Sequence, residues 1–208
     1  MIKNIIYFIS SLLIFFSGIV LYGIILNIRE VTLQEAIESS EIINPTDISI
    51  IIDRRNYQLH LYSGEKIIKS YKAVFGRNDS PVKENKNDYV TPSGTFIICS
   101  IDSGAQFYKQ LKLNYPNESI AAESLKKKYI SREDFRNIVN EVRKGNCPPD
   151  NTVLGSNISI HGIGTYNFIF KNLPFVFNWT DGSIAISDES IDELLTVVKA
   201  GTKVEIKN

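Results

Sequence analysis

Two short segments near residue 50 decide the fold: ISIIID at residues 48–53 and YQLHLY at residues 57–62. Apolar and polar side chains alternate strictly in the second segment, which is typical of a strand with one buried face. A tight connection at residues 63–65 leads to a third apolar segment, KIIKSYKAVF, at residues 66–75. The sequence therefore predicts that a β-meander opens the domain.

Helical periodicity begins only after this run of strands. The later elements are, in order, a turn and a strand within residues 91–99, helices at residues 131–145 and 188–199, and a closing strand at residues 203–206. Strands that come first, with helices inserted late, argue against a βαβ alternation. We therefore predict a mostly β or α+β domain that occupies residues 46–208.

The first 28 residues differ in kind from this domain. No charged side chain occurs from Asn4 to Ile28, and roughly 20 apolar residues at ~1.5 Å each span a bilayer core. The alternative is a cleaved signal peptide, whose apolar region is shorter and ends in a small-x-small site. No such site follows this run, so residues 1–28 are interpreted as a transmembrane anchor. Because Lys3 precedes the span, we expect the N-terminus inside and the domain outside the cytoplasm.

Residues 29–45 connect the predicted anchor to the domain. Leu33, Ala36 and Ile37 are spaced among polar residues as in a short amphipathic helix or stalk. Asn44-Pro45 ends this segment, because proline disfavours a helical residue before it. The sequence thus predicts an anchor at residues 1–28, a stalk or linker at residues 29–45 and one domain at residues 46–208.

Composition and charge exclude several classes of protein. Hydrophobic residues make up 43% of the 208 residues, which is enough for a core and excludes a disordered chain. The 23 Lys and Arg residues balance 23 Asp and Glu residues, so no nucleic-acid partner is expected. Two cysteines cannot build a zinc cluster, and no other ligand cluster is visible. We expect no metal and no organic cofactor.

A histidine and a serine carry the chemistry that the sequence suggests. His161 ends the strand-like segment ISIHG at residues 158–162, and Ser183 follows a TDG turn. In hydrolases and acyl transferases an imidazole activates the nucleophile, and backbone N–H groups receive the oxyanion. A lone histidine is also commonly a structural residue, so both interpretations stay open on spacing alone. The candidate oxyanion and substrate-binding residues are Gly162, Thr180, Asp181 and Gly182.

His161-Gly162 together with TDGSI at residues 180–184 resembles the active-site signature of the L,D-transpeptidase catalytic domain, the YkuD-type fold. The resemblance extends over the whole domain. The other matching segments are IID at residues 51–53, LHLY at 59–62, FGR at 75–77, TPSGTF at 91–96, LNYPN at 113–117 and GTKVEI at 201–206. It implies a YkuD-like β-sandwich with inserted helices.

The resemblance also implies an activity and a partner, the stem peptides of peptidoglycan. In the family, a thiolate attacks the carbonyl of the third residue of a tetrapeptide stem, and the terminal D-alanine leaves. The resulting thioester then passes to an amine on a neighbouring stem. By this resemblance, His161 is the base and Ser183 stands at the nucleophile position. The implied role is cell-wall biogenesis or remodelling.

Ser183 is also the main departure from the family, which has a cysteine at this position. A nearby histidine can lower a thiol pKa of about 8.5 until thiolate is populated, whereas a serine hydroxyl needs a base during the attack. Three interpretations remain open: an introduced substitution that silences the enzyme, a natural peptidoglycan-binding relative without activity, or a slow serine nucleophile. A slow serine nucleophile would also be consistent with a serine hydrolase on the same scaffold. Ala185 replaces an arginine of many members, so no carboxylate-binding role is expected there.

The two cysteines allow several interpretations. Cys99 ends an apolar strand, where a buried and inert thiol is the expected state. Cys147 lies in a loop before the histidine strand. A Cys99–Cys147 disulfide outside the cytoplasm and a role for Cys147 as a displaced nucleophile are the alternatives.

Overall fold

The chain begins with two helices and continues into a β-rich part that holds the candidate residues. The computed structural model describes residues 2–27, 30–40, 42, 44–80, 82–105, 107–173 and 176–208. The helices are α1 Ile2–Asn27, α2 Leu33–Ser39, α3 Glu118–Lys126, α4 Arg132–Arg143, α5 Asn167–Phe170 and α6 Asp188–Leu195. The strands are β1 Ile48–Asp53, β2 Gln58–Ser63, β3 Lys66–Lys72, β4 Gly94–Ala105, β5 Tyr108–Leu113, β6 Ser159–His161, β7 Ile184–Ala185 and β8 Lys203–Lys207.

All eight strands join one sheet in the order β3-β2-β1-β8-β4-β5-β6-β7. β4 links the two halves, because its first residues pair with β8 and its later ones pair with β5. Val74, just after β3, exchanges two backbone hydrogen bonds of 2.9 Å with Ala185 of β7. The sheet therefore curls until its two edges meet.

The main apolar core lies inside this curl. It combines side chains of the first half, such as Ile50 and Leu61, with side chains of the second half, such as Leu111, Ile160 and Ile184. Each of these five residues is fully buried, as expected for apolar side chains that alternate along strands. The predicted mostly β, α+β architecture with inserted helices is confirmed.

The helices α3 and α4 form the main insertion, between β5 and β6. They pack on each other around a second apolar cluster that includes Ala121 and Ile138. Ser131 caps α4 in a capping box with Asp134, as the acidic residues after that serine predict. The predicted helix at residues 131–145 is thus confirmed and ends at Arg143.

Other elements differ in extent from the prediction. The predicted helix at residues 188–199 ends at Leu195, because the β-branched residues that follow disfavour a helix. β4 continues to Ala105, well beyond the predicted apolar strand, since its polar part pairs with β5. β5 and α3 were not predicted. In β5 only Leu111 and Leu113 alternate, which is a short signal among polar residues, and α3 shows no clear helical period.

α1 and α2 precede the sheet. Residues Ile2–Ile25 of α1 are long and apolar enough to cross a membrane by length and composition, a test that a signal sequence also passes. Leu33 of α2 is 4% exposed and belongs to the main core. The Leu33 N–H donates a 3.0 Å hydrogen bond to the Glu193 carboxylate. The predicted stalk thus contains a helix that packs on the domain, and the boundary at residue 46 stays a prediction.

Cys99 of β4 and Cys147, which follows α4, form a disulfide across a sequence separation of 48. The interpretation of Cys99 as an inert thiol is therefore wrong, because its sulfur is bonded. Cys147 likewise carries no thiol that could replace the missing nucleophile. The disulfide ties the start of the loop before β6 to the middle of the sheet.

Candidate active site

His161 and Ser183 share one cavity because of the way β6 and β7 pair. The two strands are parallel, with Ile160 opposite Ile184 and His161 opposite Ala185. Side chains alternate between the faces of a strand. Since Ile160 and Ile184 point into the core, His161 and Ser183 lie on the other face. There they line a cavity of about 570 Å³.

His161 is held in a defined protonation state. Its ring nitrogen Nδ1 lies 2.6 Å from the carbonyl oxygen of Gly162. Because a carbonyl oxygen only accepts, Nδ1 carries the hydrogen and Nε2 is left with a lone pair. His161 is 5% exposed, and burial lowers its pKa, although the Gly162 carbonyl acts in the opposite direction. The imidazole is therefore a neutral acceptor near pH 7.

Aromatic side chains surround this imidazole. The ring centroid of Phe107 lies 5.1 Å from that of His161, and the centroid of Trp179 lies 6.0 Å away in an edge-on contact. These rings cover part of the imidazole. Burial of this kind disfavours the charged imidazolium.

Ser183 makes hydrogen bonds with the backbone at the start of β6. Its Oγ donates to the carbonyl oxygen of Asn157 at 3.2 Å and accepts from the Ser159 N–H at 3.1 Å. Within the part of the chain that the structure describes, no hydrogen bond joins Ser183 to His161. The two residues thus meet in one cavity, but the hydroxyl hydrogen points to Asn157 rather than to the imidazole.

The turn before Ser183 is closed by Thr180. Its Oγ1 donates to the Ser183 carbonyl oxygen at 2.6 Å and accepts from the Gly182 N–H at 3.3 Å. Gly182 has a φ of +118°, and a Cβ on it would lie 2.7 Å from the Val90 carbonyl oxygen. Thr180 and Gly182 therefore shape the turn that presents Ser183.

The predicted oxyanion donors are not equally available. The Gly162 N–H donates to the Lys109 carbonyl at 3.1 Å, so it does not serve an oxyanion in this arrangement. The Gly182 N–H is engaged by Thr180. The backbone N–H groups of Asp181 and Ser183 make no hydrogen bond to any residue that the structure describes, which leaves them as the candidate donors.

The Asp181 side chain faces away from this chemistry. It forms a 2.6 Å ion pair with Arg77, and both side chains are largely exposed. The Arg77 guanidinium also lies 4.2 Å from the ring centroid of Tyr89. Asp181 thus contributes its backbone to the turn, and its carboxylate belongs to the rim.

A buried ion pair stands in the cavity wall. Lys83 Nζ lies 2.6 Å from Asp88 Oδ1, with 3% of the lysine side chain exposed. Burial acts to raise the pKa of Asp88, but hydrogen bonds from Lys83 and from nearby backbone N–H groups outweigh it and lower that pKa. The lowered pKa keeps the Asp88 carboxylate ionised, and its hydrogen bonds to the Glu84, Asn85 and Val90 N–H groups fix the loop before β4.

Sequence reasoning missed several residues of this site. Ser159 could have been found, because it lies two positions before His161 on one strand and so shares its face. Asn157 acts through its backbone carbonyl, which no side-chain pattern reveals. Phe107 comes from a distant connection between β4 and β5. Within the described residues, no group of three or more His, Cys, Asp or Glu side chains could hold a metal.

Several solved structures resemble this chain at low sequence identity. Bd1075 of Bdellovibrio bacteriovorus is 19% identical, with a TM-score of 0.48 over 78% of this chain and 48% of that one. An L,D-transpeptidase of Xylanimonas cellulosilytica is 12% identical, with a TM-score of 0.45 over 84% of this chain and 68% of that one. The helical cell shape determining protein Pgp2 of Campylobacter jejuni is 14% identical, with a TM-score of 0.45 over 85% and 55%. The chain thus spans about half to two thirds of the length of these proteins.

No curated protein matches the chain. The family model of the L,D-transpeptidase catalytic domain, YkuD, matches residues 47–206. The match covers most of the chain, and it includes both strands that bring His161 and Ser183 together. The protein therefore belongs to the L,D-transpeptidase catalytic domain family.

Proposed function

We propose that the protein is an acyl transferase that acts on peptidoglycan stem peptides, with Ser183 as nucleophile and His161 as its base. The observation that carries this proposal is the 2.6 Å contact between His161 Nδ1 and the Gly162 carbonyl oxygen. The Nδ1 hydrogen is committed to that carbonyl, so Nε2 is the acceptor that a serine hydroxyl needs. A neutral buried imidazole suits general-base catalysis, because it can take a proton during the attack.

The reaction follows from these roles. The Ser183 hydroxyl rotates from Asn157 toward His161, and Oγ attacks the carbonyl carbon of the third stem residue while Nε2 takes the proton. The backbone N–H groups of Asp181 and Ser183 receive the oxyanion. When the intermediate collapses, the amine of the terminal D-alanine leaves with the proton from His161. An amine of a second stem then attacks the serine ester and gives a proton to Nε2 of His161. His161 passes that proton to Oγ as the ester C–O bond breaks.

A specific observation favours a second candidate, a peptidoglycan-binding relative without activity. The Ser183 hydroxyl is already satisfied by Asn157 and Ser159. Turning the hydroxyl away from Asn157 gives up one of these bonds, and a hydrogen bond of this kind typically contributes about 0.5–1.5 kcal/mol. In this candidate the cavity binds a stem peptide, and the serine only completes its polar lining.

The proposed place of action is the outer face of the membrane, with α1 as an uncleaved anchor and the N-terminus inside. The length and composition of α1 support the anchor, and Lys3 at its N-terminal end supports the orientation. The Cys99–Cys147 disulfide is typical of a compartment outside the cytoplasm. The peptidoglycan that the proposed activity needs lies on that same side.

Purified stem tetrapeptides with an amine acceptor test the proposal. The wild type, Ser183→Cys, Ser183→Ala and His161→Ala are compared by mass spectrometry of protein and products. We expect an acyl-enzyme on the wild type, none on Ser183→Ala, and a rate about 10²–10⁴ lower for His161→Ala.

Three results would decide against the proposed acyl transfer to an amine. If the wild type is inactive while Ser183→Cys transfers acyl groups, the site is a transpeptidase site that lacks only its thiol. If all four proteins are inactive but bind isolated sacculi, the protein is the binding relative. Release of free acid in place of a cross-link would identify a serine hydrolase.

A further inference from the structure

Large apolar side chains are exposed together on the segment that follows His161. The segment forms a 3-10 turn at Gly164–Tyr166 and then helix α5. The exposed fractions are 62% for Tyr166, 63% for Phe168, 48% for Ile169 and 41% for Phe177. We call these four side chains the aromatic patch. Such clusters mark a surface that meets another apolar phase or partner.

The aromatic patch is continuous with the end of α1. Gly23 is buried so closely against the backbone of Asn172 that a Cβ on Gly23 would lie 1.7 Å from the Asn172 carbonyl oxygen. Ile19, Val20 and Ile24 lie on the same face of α1 and are partly buried, unlike the residues before them. The last turns of the apolar helix thus pack on the segment that carries the patch.

The connection between α1 and the domain core is short. Five residues, 28–32, separate the end of α1 from the buried Leu33. Six steps between Cα atoms reach at most ~22 Å, even in a fully extended chain. The domain therefore cannot stand far from the point where α1 leaves the membrane.

We propose that the aromatic patch inserts into the outer interfacial layer of the bilayer that α1 spans. The inference rests on the proposed anchoring and orientation. Gly23 lies inside the apolar stretch Ile2–Ile25, so the residues packed on it lie at the boundary of the hydrocarbon. Tyrosine is enriched at this depth, and phenylalanine is among the side chains that interfacial segments bury there. The bilayer covers the apolar side chains that the domain leaves exposed.

The insertion has a consequence for the cavity. Phe170 connects the patch to the site, because its ring centroid lies 5.6 Å from Phe177 and 6.1 Å from Trp179. Trp179 in turn contacts His161 at 6.0 Å. The cavity is thereby held beside the membrane surface. Under the proposed function, we therefore expect its substrates to be stem peptides that lie next to the bilayer rather than in outer layers of the wall.

Tryptophan fluorescence in vesicles tests the insertion, because Trp179 is the single tryptophan of the chain. The full chain is reconstituted in phosphatidylcholine vesicles, with or without lipid brominated on the upper part of its acyl chains. Phe168→Trp and Tyr166→Trp each add one fluorophore to the patch. Tyr129→Trp, at a position 43% exposed between α3 and α4, is the matched control. The wild-type signal is subtracted from each variant.

We expect the brominated lipid to quench most of the added fluorescence of both patch variants, at low and at high salt. The added fluorescence of Tyr129→Trp should be retained. Equal quenching at the patch and at Tyr129, or no quenching at the patch in a protein that resists carbonate extraction, would overturn the insertion. If carbonate strips the protein from the vesicles, the proposed anchor itself fails, and the insertion fails with it.

Discussion

Removal of the Cys99–Cys147 disulfide is expected to destabilise the domain strongly. The crosslink spans a sequence separation of 48. The entropy that such a closed loop removes from the unfolded chain corresponds to ~4 kcal/mol at 25 °C, and measured values are typically about 2–4 kcal/mol. The variant Cys99→Ala with Cys147→Ala should therefore lose about 2–4 kcal/mol of its free energy of unfolding. Both cysteines are partly buried, and alanine adds no new polar group there.

Urea unfolding followed by Trp179 fluorescence measures this loss, because the tryptophan lies in the β-rich domain and not in α1. Each single variant opens the same crosslink, so the two single variants and the double variant should lose similar amounts. A reducing agent should destabilise the wild type equally and leave the double variant unchanged. An unchanged urea midpoint in the double variant, or a wild type that ignores the reductant, would refute the reasoning.

Four other predictions follow from particular contacts. Gly162→Ala places a Cβ 2.5 Å from Asp188 Oδ1 and should reduce both activity and thermal stability. Burial lowers the pKa of His161 in the folded protein. As the pH falls, the histidine of the unfolded chain is therefore protonated before that of the folded protein. The free energy of unfolding should keep its full His161 contribution above about pH 6.5 and lose it below that pH. Urea titrations should show a smaller fall for His161→Gln between about pH 7 and about pH 5. Residues 46–208 on their own should unfold cooperatively in calorimetry. In the full chain, Leu33→Ala should lower the free energy of unfolding by about 2–5 kcal/mol, and calorimetry also measures this loss. A periplasmic-type reporter fused after Asn208 should be active, and a cytoplasmic C-terminus would contradict the proposed topology.

Local patterns determine much of this protein. The alternation in β2, the capping serine of α4 and the uncharged run of α1 are all visible in consecutive residues, because each element repeats with its own period. The motif around His161 and Ser183 was also visible. A match of several ordered segments then indicated the family, since a backbone that must curl the same way needs its turns in the same order.

The tertiary structure decided what depends on contacts between distant residues. The pairing of β6 with β7 brings His161 and Ser183 into one cavity, although the two are far apart in the chain. The same packing bonds the Ser183 hydroxyl to Asn157 and not to His161, and it engages the Gly162 N–H with Lys109. Contacts between distant residues also account for the disulfide, the burial of Leu33 and the contact of Gly23 with Asn172. A periodic pattern shows which face of an element is buried, but only the folded chain shows which other residue covers it.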